Sequence, residues 1–433
     1  MKRYEQKEGQ AIRIIPRQKI HWPSVKSWLK SCETGHAHYC GHRLLLNSKA
    51  LKVVNRTFID VNHQNLVIHP YECRYLALSY VWGGVSQLLL TKSNQELLFS
   101  DGALNAFEKD IPQVIKDAMQ VVRSIGEELL WVDSLCIVQD DDLVKHDLIS
   151  EMASIYNHAL ATIVAASGEN AGCGLPGVRQ NSRVLQNLAT IPGANIHVME
   201  RKPLDSFMDN STYNTRGWTF QERLLSRRCL YFTDTQVFFE CQEHSFSEDR
   251  PGALVEASSH DIRDSSFHSL INSNLIDLGN PLASKEDRQM LRYSKIVEEY
   301  CHKKFTFVDD ILDAFSGIEA ALEHLCGWTM VYGLPEQLLD HSLLWEPGEV
   351  TAPQKSFDYA LFRRPKPTTS LPMGANKLER RNSNLPSWSW SAWTGSVYYN
   401  EWIASELRAF HYPFKLGMST HIEIFSYPLT RGH

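Results

Sequence analysis

Two short blocks constrain this chain more than any other feature: Tyr75-Leu-Ala-Leu-Ser-Tyr-Val-Trp-Gly83 and, some fifty residues on, Leu130-Trp-Val-Asp-Ser-Leu-Cys-Ile-Val-Gln139. Each begins with β-branched, aromatic and aliphatic residues and then changes to Ser, Asp, Gly or Gln. That change is the signature of a buried strand running into a polar loop. In open α/β sheets, ligands bind where such strand ends converge. The same feature therefore predicts a fold class and a place for the site.

The surrounding sequence supports alternation of strand and helix. Ile111, Ile115, Ala118, Val122 and Ile125 recur at helical spacing, with Asp110 as N-cap, Pro112 in the first turn, Gln113 completing a capping-box pattern and Gly126 as the stop. Leu148, Met152, Ile155, Tyr156 and Ala159 mark a second helix, followed by a strand from Ala161 to Ala166 that ends in Ser167-Gly168. Strand, helix, strand, helix, strand predicts an α/β fold with a parallel sheet. Arg56 to Pro70 alternates as a strand pair turning at Asn62 to Asn65. Thr219 to Arg227 reads as helix, and Arg228 to Cys241 as a strand pair around Thr233-Asp234.

The division expected is an N-terminal segment over residues 1–50, a main domain over 51–245, a polar connection over 246–285 and a mainly helical, loop-rich region over 286–433. In the last region, Arg288 to His302 predicts one helix, and Ile311, Phe315, Ile318, Leu322 and Leu325 the apolar face of another. Pro386-Ser-Trp-Ser-Trp390 is expected to pin the tail by burying Trp388 and Trp390.

Composition excludes several classes. With 43% hydrophobic and 22% charged residues and a net charge of −6, the 433-residue chain has ordinary globular composition, without the concentrated basic surface a nucleic acid requires. No segment approaches the length of a membrane span. The first residues carry no apolar run, so a cytoplasmic location with its nine cysteines reduced is expected.

The two blocks, with Ile111-Pro112, Met152-Ala-Ser-Ile-Tyr-Asn-His-Ala159 and Arg216-Gly-Trp-Thr-Phe-Gln-Glu-Arg223, resemble the fungal heterokaryon incompatibility (HET) domain from about Tyr75 to Glu222. An upstream Cys/His cluster, Asp309-Asp-Ile-Leu-Asp-Ala-Phe-Ser-Gly317 and the Pro386–Trp390 stretch also resemble the wider family. Val138 and Leu148 depart from it, standing where the family usually has Asp or Asn and Gln. HET domains are in turn similar to the Toll/interleukin-1 receptor (TIR) domain, some members of which cleave NAD. The resemblance implies a TIR-like (flavodoxin-like) core and a role in cell-death or self/non-self signalling. It also implies NAD or a related nucleotide as substrate rather than a resident cofactor, and self-association through the loop Ser134 to Val144, acidic at Asp140-Asp141-Asp142. The alternative is a non-catalytic scaffold that recruits other signalling proteins.

Trp218-Thr-Phe-Gln-Glu222 resembles the Trp-x-x-x-Glu pattern of NAD-cleaving TIR domains, which implies Glu222 as catalytic carboxylate and Trp218 as the plane holding the base. Spaced i and i+4, the two share a helix face. The competing reading buries Trp218 in packing and pairs Glu222 with Arg223, Arg227 or Arg228. Ser79, Trp82, Gly83 and Gly84 form a candidate substrate-binding edge, with glycines that let phosphates approach the backbone; a plain tight turn is the alternative. Asp133 could orient a ribose hydroxyl or cap its own loop, with Gln139 at the loop's far side. Cys136 is expected to be an inert buried thiol. Cys32, His36, His38, Cys40 and His42 are the densest ligand-type cluster. Their spacing lacks a separated second pair, so no metal is expected there.

Overall fold

The computed structural model describes residues 15, 19–35, 40–41, 43–44, 55–141, 151–186, 188–191, 196–199, 202–249, 285–307, 309–347, 379–380, 385–394 and 397–399. In chain order the strands are β1 (Asn55–Asp60), β2 (Asn65–Pro70), β3 (Leu76–Ser79), β4 (Leu129–Trp131), β5 (Ala161–Val164), β6 (Leu188–Ile191), β7 (Ile196–Met199), β8 (Arg228–Phe232), β9 (Val237–Cys241) and β10 (Ser245–Ser247). The longer helices are α1 (Trp22–Gly35), α2 (Gln113–Ile125), α3 (described over residues 151–158), α4 (Gly217–Leu225), α5 (Lys285–Cys301) and α6 (Ser316–Cys326).

Eight strands form one sheet in the order β10-β9-β8-β5-β3-β4-β1-β2. The four central strands are parallel: Leu76 of β3 pairs with Leu130 of β4 and Ala161 of β5, and Ile163 of β5 with Leu230 of β8. Antiparallel hairpins close both edges, β1–β2 on one side and β8–β9–β10 on the other. All residues of β3, β4, β5 and β8 are buried, as continuous apolar runs in a parallel sheet require. The order β4-β3-β5-β8 reverses direction between β3 and β5. Such a reversal opens a crevice at the carboxyl ends of those two strands. Ser79 ends β3 there, opposite Val164.

Helix α2 begins at Gln113 behind Pro112, with no side-chain cap. Asp110 does not cap it: its carbonyl accepts from Leu88 and its amide donates to Phe107, which holds it in the preceding turn. Gly126 ends α2 in the left-handed region, as its position implied. The strand pairs at 55–70 and 228–241 form as expected, and so does the helix ahead of β8. The loop after β4 opens with a one-turn helix, Asp133–Cys136, while Asp142, Val144 and Leu148 lie outside the described residues.

The C-terminal region adds helices and three short strand pairs, two of which link Trp345–Pro347 to Val397–Tyr399 and Glu379–Arg380 to Trp393–Thr394. Its core holds Tyr293, Tyr300, Phe315, Ile318 and Trp390. Trp390 is fully buried, but Trp388 is 38% exposed, because the turn between them sends the rings apart. Leu325 is likewise exposed, in the last turn of α6 before Gly327. No helix among the described residues is long and apolar enough to cross a membrane.

This region grips the sheet's covering helices at one close crossing. The Gly317 amide donates to Gln221 Oε1 of α4 at 2.8 Å. A Cβ at Gly317 would fall 2.3 Å from the Ala153 Cβ of α3 and 2.6 Å from Gln221 Oε1. Gly317→Ala should therefore lower the stability by about 1–3 kcal/mol in urea unfolding, the usual cost of overpacking a tight core. Gly35→Ala, with nothing within 4 Å of the added methyl, should stay near the wild-type midpoint.

Candidate functional site

The carboxyl end of β3 gathers several of the residues singled out in the sequence into a buried group. Ser79 is the last residue of β3, and its hydroxyl is bonded to Glu222 Oε2 from α4. The Tyr213 hydroxyl lies 2.6 Å from the same Ser79 oxygen. The Tyr156 hydroxyl of α3 stands beside Glu222, with the Leu78 carbonyl at 3.2 Å as the other acceptor for its one proton. Ser79 has one proton. When Glu222 is ionised, Ser79 donates to it and Tyr213 donates to Ser79; when Glu222 is protonated, this chain can run in reverse.

Burial sets the electrostatics. Glu222 is only 5% exposed, and this burial pushes its carboxyl up to about 8. The negative field of Asp133 adds to the rise; the Ser79 and Tyr156 bonds and the Arg216 guanidinium oppose it. Asp133 is raised to about 6, again by burial of its carboxylate, against the Trp82 indole and the Ser134 amide. Those contacts are 2.8 Å from Trp82 Nε1 to Asp133 Oδ2 and 2.7 Å from the Ser134 amide to Oδ1. Asp133 thus caps its own turn and also anchors Trp82. Two carboxylates of raised pKa beside one crevice are a recurrent mark of functional sites.

The ion pair offered as the bland explanation of Glu222 does not involve the three suggested partners. Arg223 pairs with Glu299 at 3.8 Å. Arg227 donates to the carbonyls of Cys40, Gly41, Asn157, His158 and Ala159. Arg228 donates to Cys32 Sγ and to the carbonyls of Leu160 and Cys40.

Other candidates take different roles. Trp218 is half-buried, and its indole N–H donates to Asp310 Oδ2 at 3.1 Å, tying α4 to the C-terminal region. Gly83 has φ +66°, and a Cβ there would lie 2.2 Å from the Asn170 Cβ. Asn170 thus occupies the approach that a phosphate would use, and Gly83 serves a tight contact between two loops. Gly84, at φ +70°, has open space around it. Gln139 shapes the loop by donating to the Asp133 and Ile137 carbonyls. The Cys136 thiol is buried and pushed up to about 12 by that burial, which suits an inert role.

Sequence reasoning overlooked Tyr156, Tyr213 and Arg216. Tyr156 and Arg216 stand inside motifs that were quoted for their pattern. Tyr213 has no such signal, since only the turn Tyr213–Thr215 before α4 aims its ring at Ser79. Of the Cys/His cluster, Cys32 and Cys40 are described and His36, His38 and His42 lie outside the described residues. Cys241, two hundred residues away in sequence, joins the two cysteines: the three sulfurs lie within 4.8 Å of one another.

The Glu222 shift has a consequence for stability. Its folded-state pKa, about 8, lies above the ordinary 4.5, so the folded protein holds a proton that the unfolded chain releases. Stability is full below about 4.5 and falls as pH rises towards about 8. Glu222→Gln, which does not titrate, should remove this slope: unfolding free energies of variant and wild type from urea titrations should diverge on the alkaline side by on the order of a few kcal/mol. Parallel curves over that range would mean that Glu222 is ionised throughout.

No curated protein and no solved structure gives a significant match to the chain. Residues 75–222 match the family model described as heterokaryon incompatibility protein (HET), a span that runs from the residue before β3 to Glu222 itself. This stretch is therefore similar to the heterokaryon incompatibility domain, and the Ser79–Glu222 group lies within it.

Proposed function

We propose that this HET-domain protein acts in incompatibility-type cell-death or self/non-self signalling by hydrolysing NAD at the nicotinamide–ribose bond. The observation that carries the reading is the Ser79–Glu222 contact, at the carboxyl end of the central strand where the sheet order reverses. The order β4-β3-β5-β8 also supports kinship with TIR-like folds.

In the reaction, the bond between the anomeric carbon and the pyridinium nitrogen breaks, and its electron pair leaves with neutral nicotinamide. Water adds to the sugar and releases one proton, giving ADP-ribose. Positive charge on the sugar rises in the transition state, and an ionised Glu222 stabilises it. The cationic pyridinium of the substrate favours ionisation of Glu222 on entry. Ser79 then holds the carboxylate in one orientation, with Tyr213 behind it. Arg216, whose field reaches both Glu222 and Asp133, is suited to the substrate's phosphates.

Glu222→Gln should cut nicotinamide release by about two or more orders of magnitude, the scale of one lost electrostatic contact in a transition state. For the wild type, kcat/KM should climb with pH until about 8, where free Glu222 becomes ionised. Equal rates in wild type and variant would remove Glu222 from the mechanism.

The closed state of Glu222 favours a second reading, a non-catalytic scaffold. Two surface cavities are lined by other residues, including Arg43, Arg74 and His158 in one and Ile68, Lys92 and Phe99 in the other. Under this reading the acidic loop after β4 governs self-association. Asp141 pairs with Lys92 at 2.9 Å, and Asp140 is exposed while accepting from the Lys92 amide. Asp140→Lys should change the particle mass seen by light scattering and leave unfolding unchanged. No nicotinamide release by any assembled form, together with a mass shift in this variant, would favour the scaffold.

A further inference from the structure

We propose that Cys32, Cys40 and Cys241 form a structural zinc site that fastens the N-terminal helix to the sheet edge. Cys32 lies in the last turn of α1, Cys40 shortly beyond it, and Cys241 ends β9. All three are buried and none forms a disulfide. Their sulfurs lie within 4.8 Å of one another. Thiolates around tetrahedral zinc, with Zn–S near 2.3 Å, stand roughly 3.8 Å apart, so a small inward adjustment sets three of the four corners, leaving the fourth to water or another donor.

The surroundings distinguish this group from three packed apolar thiols. Arg228 Nε donates to Cys32 Sγ at 3.0 Å, and the His244 amide donates to Cys241 Sγ at 3.3 Å. A guanidinium aimed at a buried sulfur suits a thiolate, and hydrogen-bond donors around ligating atoms are the usual outer shell of a metal site. Three thiolates and one zinc ion carry a net charge of −1, which the Arg228 cation balances. Arg227 and Arg228 also hold the Cys40 carbonyl, at 3.0 and 3.2 Å, which fixes the segment that carries the second sulfur. The soft sulfur set selects zinc over magnesium or calcium, and burial suits a structural role. Trp28 of α1 stacks on Phe246 of β10 beside this edge, so the metal would lock a junction already packed by aromatic rings.

The separation of Cys241 from the other two in sequence explains why spacing alone argued against a metal. The long-range partner that a zinc site needs comes from the sheet and not from the local motif.

The test uses the full chain, purified without chelator. Elemental analysis should find about one zinc per chain, and a mercurial that caps thiols should release it to a colorimetric indicator. Cys32→Ser and Cys241→Ser should each lower the zinc content at least tenfold, while Cys173→Ser, at an exposed position, should leave it unchanged. Because those variants could fail to fold, the wild type supplies an independent arm. A strong chelator should lower its melting temperature, zinc should restore it, and cobalt in its place should give a thiolate-to-metal charge-transfer band. Folded protein with no zinc and no response to chelator would overturn the proposal. So would a disulfide among the three cysteines, a different metal at the site, or equal zinc loss in Cys173→Ser.

Discussion

A parallel strand hydrogen-bonded on both sides must be covered on both faces, and β3 imposes this requirement on the rest of the molecule. Its backbone pairs with β4 and β5, and every residue in it is buried. Parallel neighbours need crossover connections, and those crossovers supply the covering helices. The same reversal of strand order that distributes the helices leaves the end of β3 free of a crossing connection. The place of Ser79, at the strand end where the order reverses, is therefore a consequence of the topology and not an addition to it.

Beside that strand end α4 places Glu222, and the low polarity that stabilises the sheet raises the cost of its charge. The protein answers with hydrogen bonds from Ser79 and Tyr156 and with the field of Arg216, which together only partly offset burial. A buried carboxyl satisfied by hydroxyls, with its ionisation near neutrality, is a group whose charge depends on what enters beside it. That property separates Glu222 from Glu151, whose carboxylate is buried against the Arg56 guanidinium at 3.0 Å.

Both ends of the described chain are attached by packing together with specific polar contacts. The C-terminal region is joined by close packing: Gly317 against Ala153 and Gln221, and the Trp218 indole on Asp310. The N-terminal segment packs Val25, Trp28 and Leu29 into the main core and adds the guanidinium groups of Arg227 and Arg228 on the carbonyls of Cys40 and Gly41. Packing of that kind needs shape at one point, whereas a guanidinium fork needs acceptors in a fixed geometry. Arg227 and Arg228, at the entry to β8, meet that need together, since both reach the Cys40 carbonyl.

The sequence by itself determined the local elements and their order. The apolar runs at Leu76, Leu129 and Ala161 and the helical period from Ile111 to Ile125 depend on neighbours a few residues apart, and so does the stop at Gly126. They are legible because local propensity and local burial agree. Motif also marked Ser79, Asp133 and Glu222, which the fold brings near one another at the strand ends. What only the tertiary structure decided is which distant groups meet. Nothing near Glu222 in sequence shows that Ser79 and Tyr156 would receive its carboxyl, or that Arg227 and Arg228 would turn away to backbone carbonyls. Nothing near Cys32 indicates Cys241. Trp218 and Trp388 had the composition of buried rings, yet one is tied to Asp310 and the other stands 38% exposed. Side-chain direction depends on turns and on the partner surface, and sequence spacing carries neither.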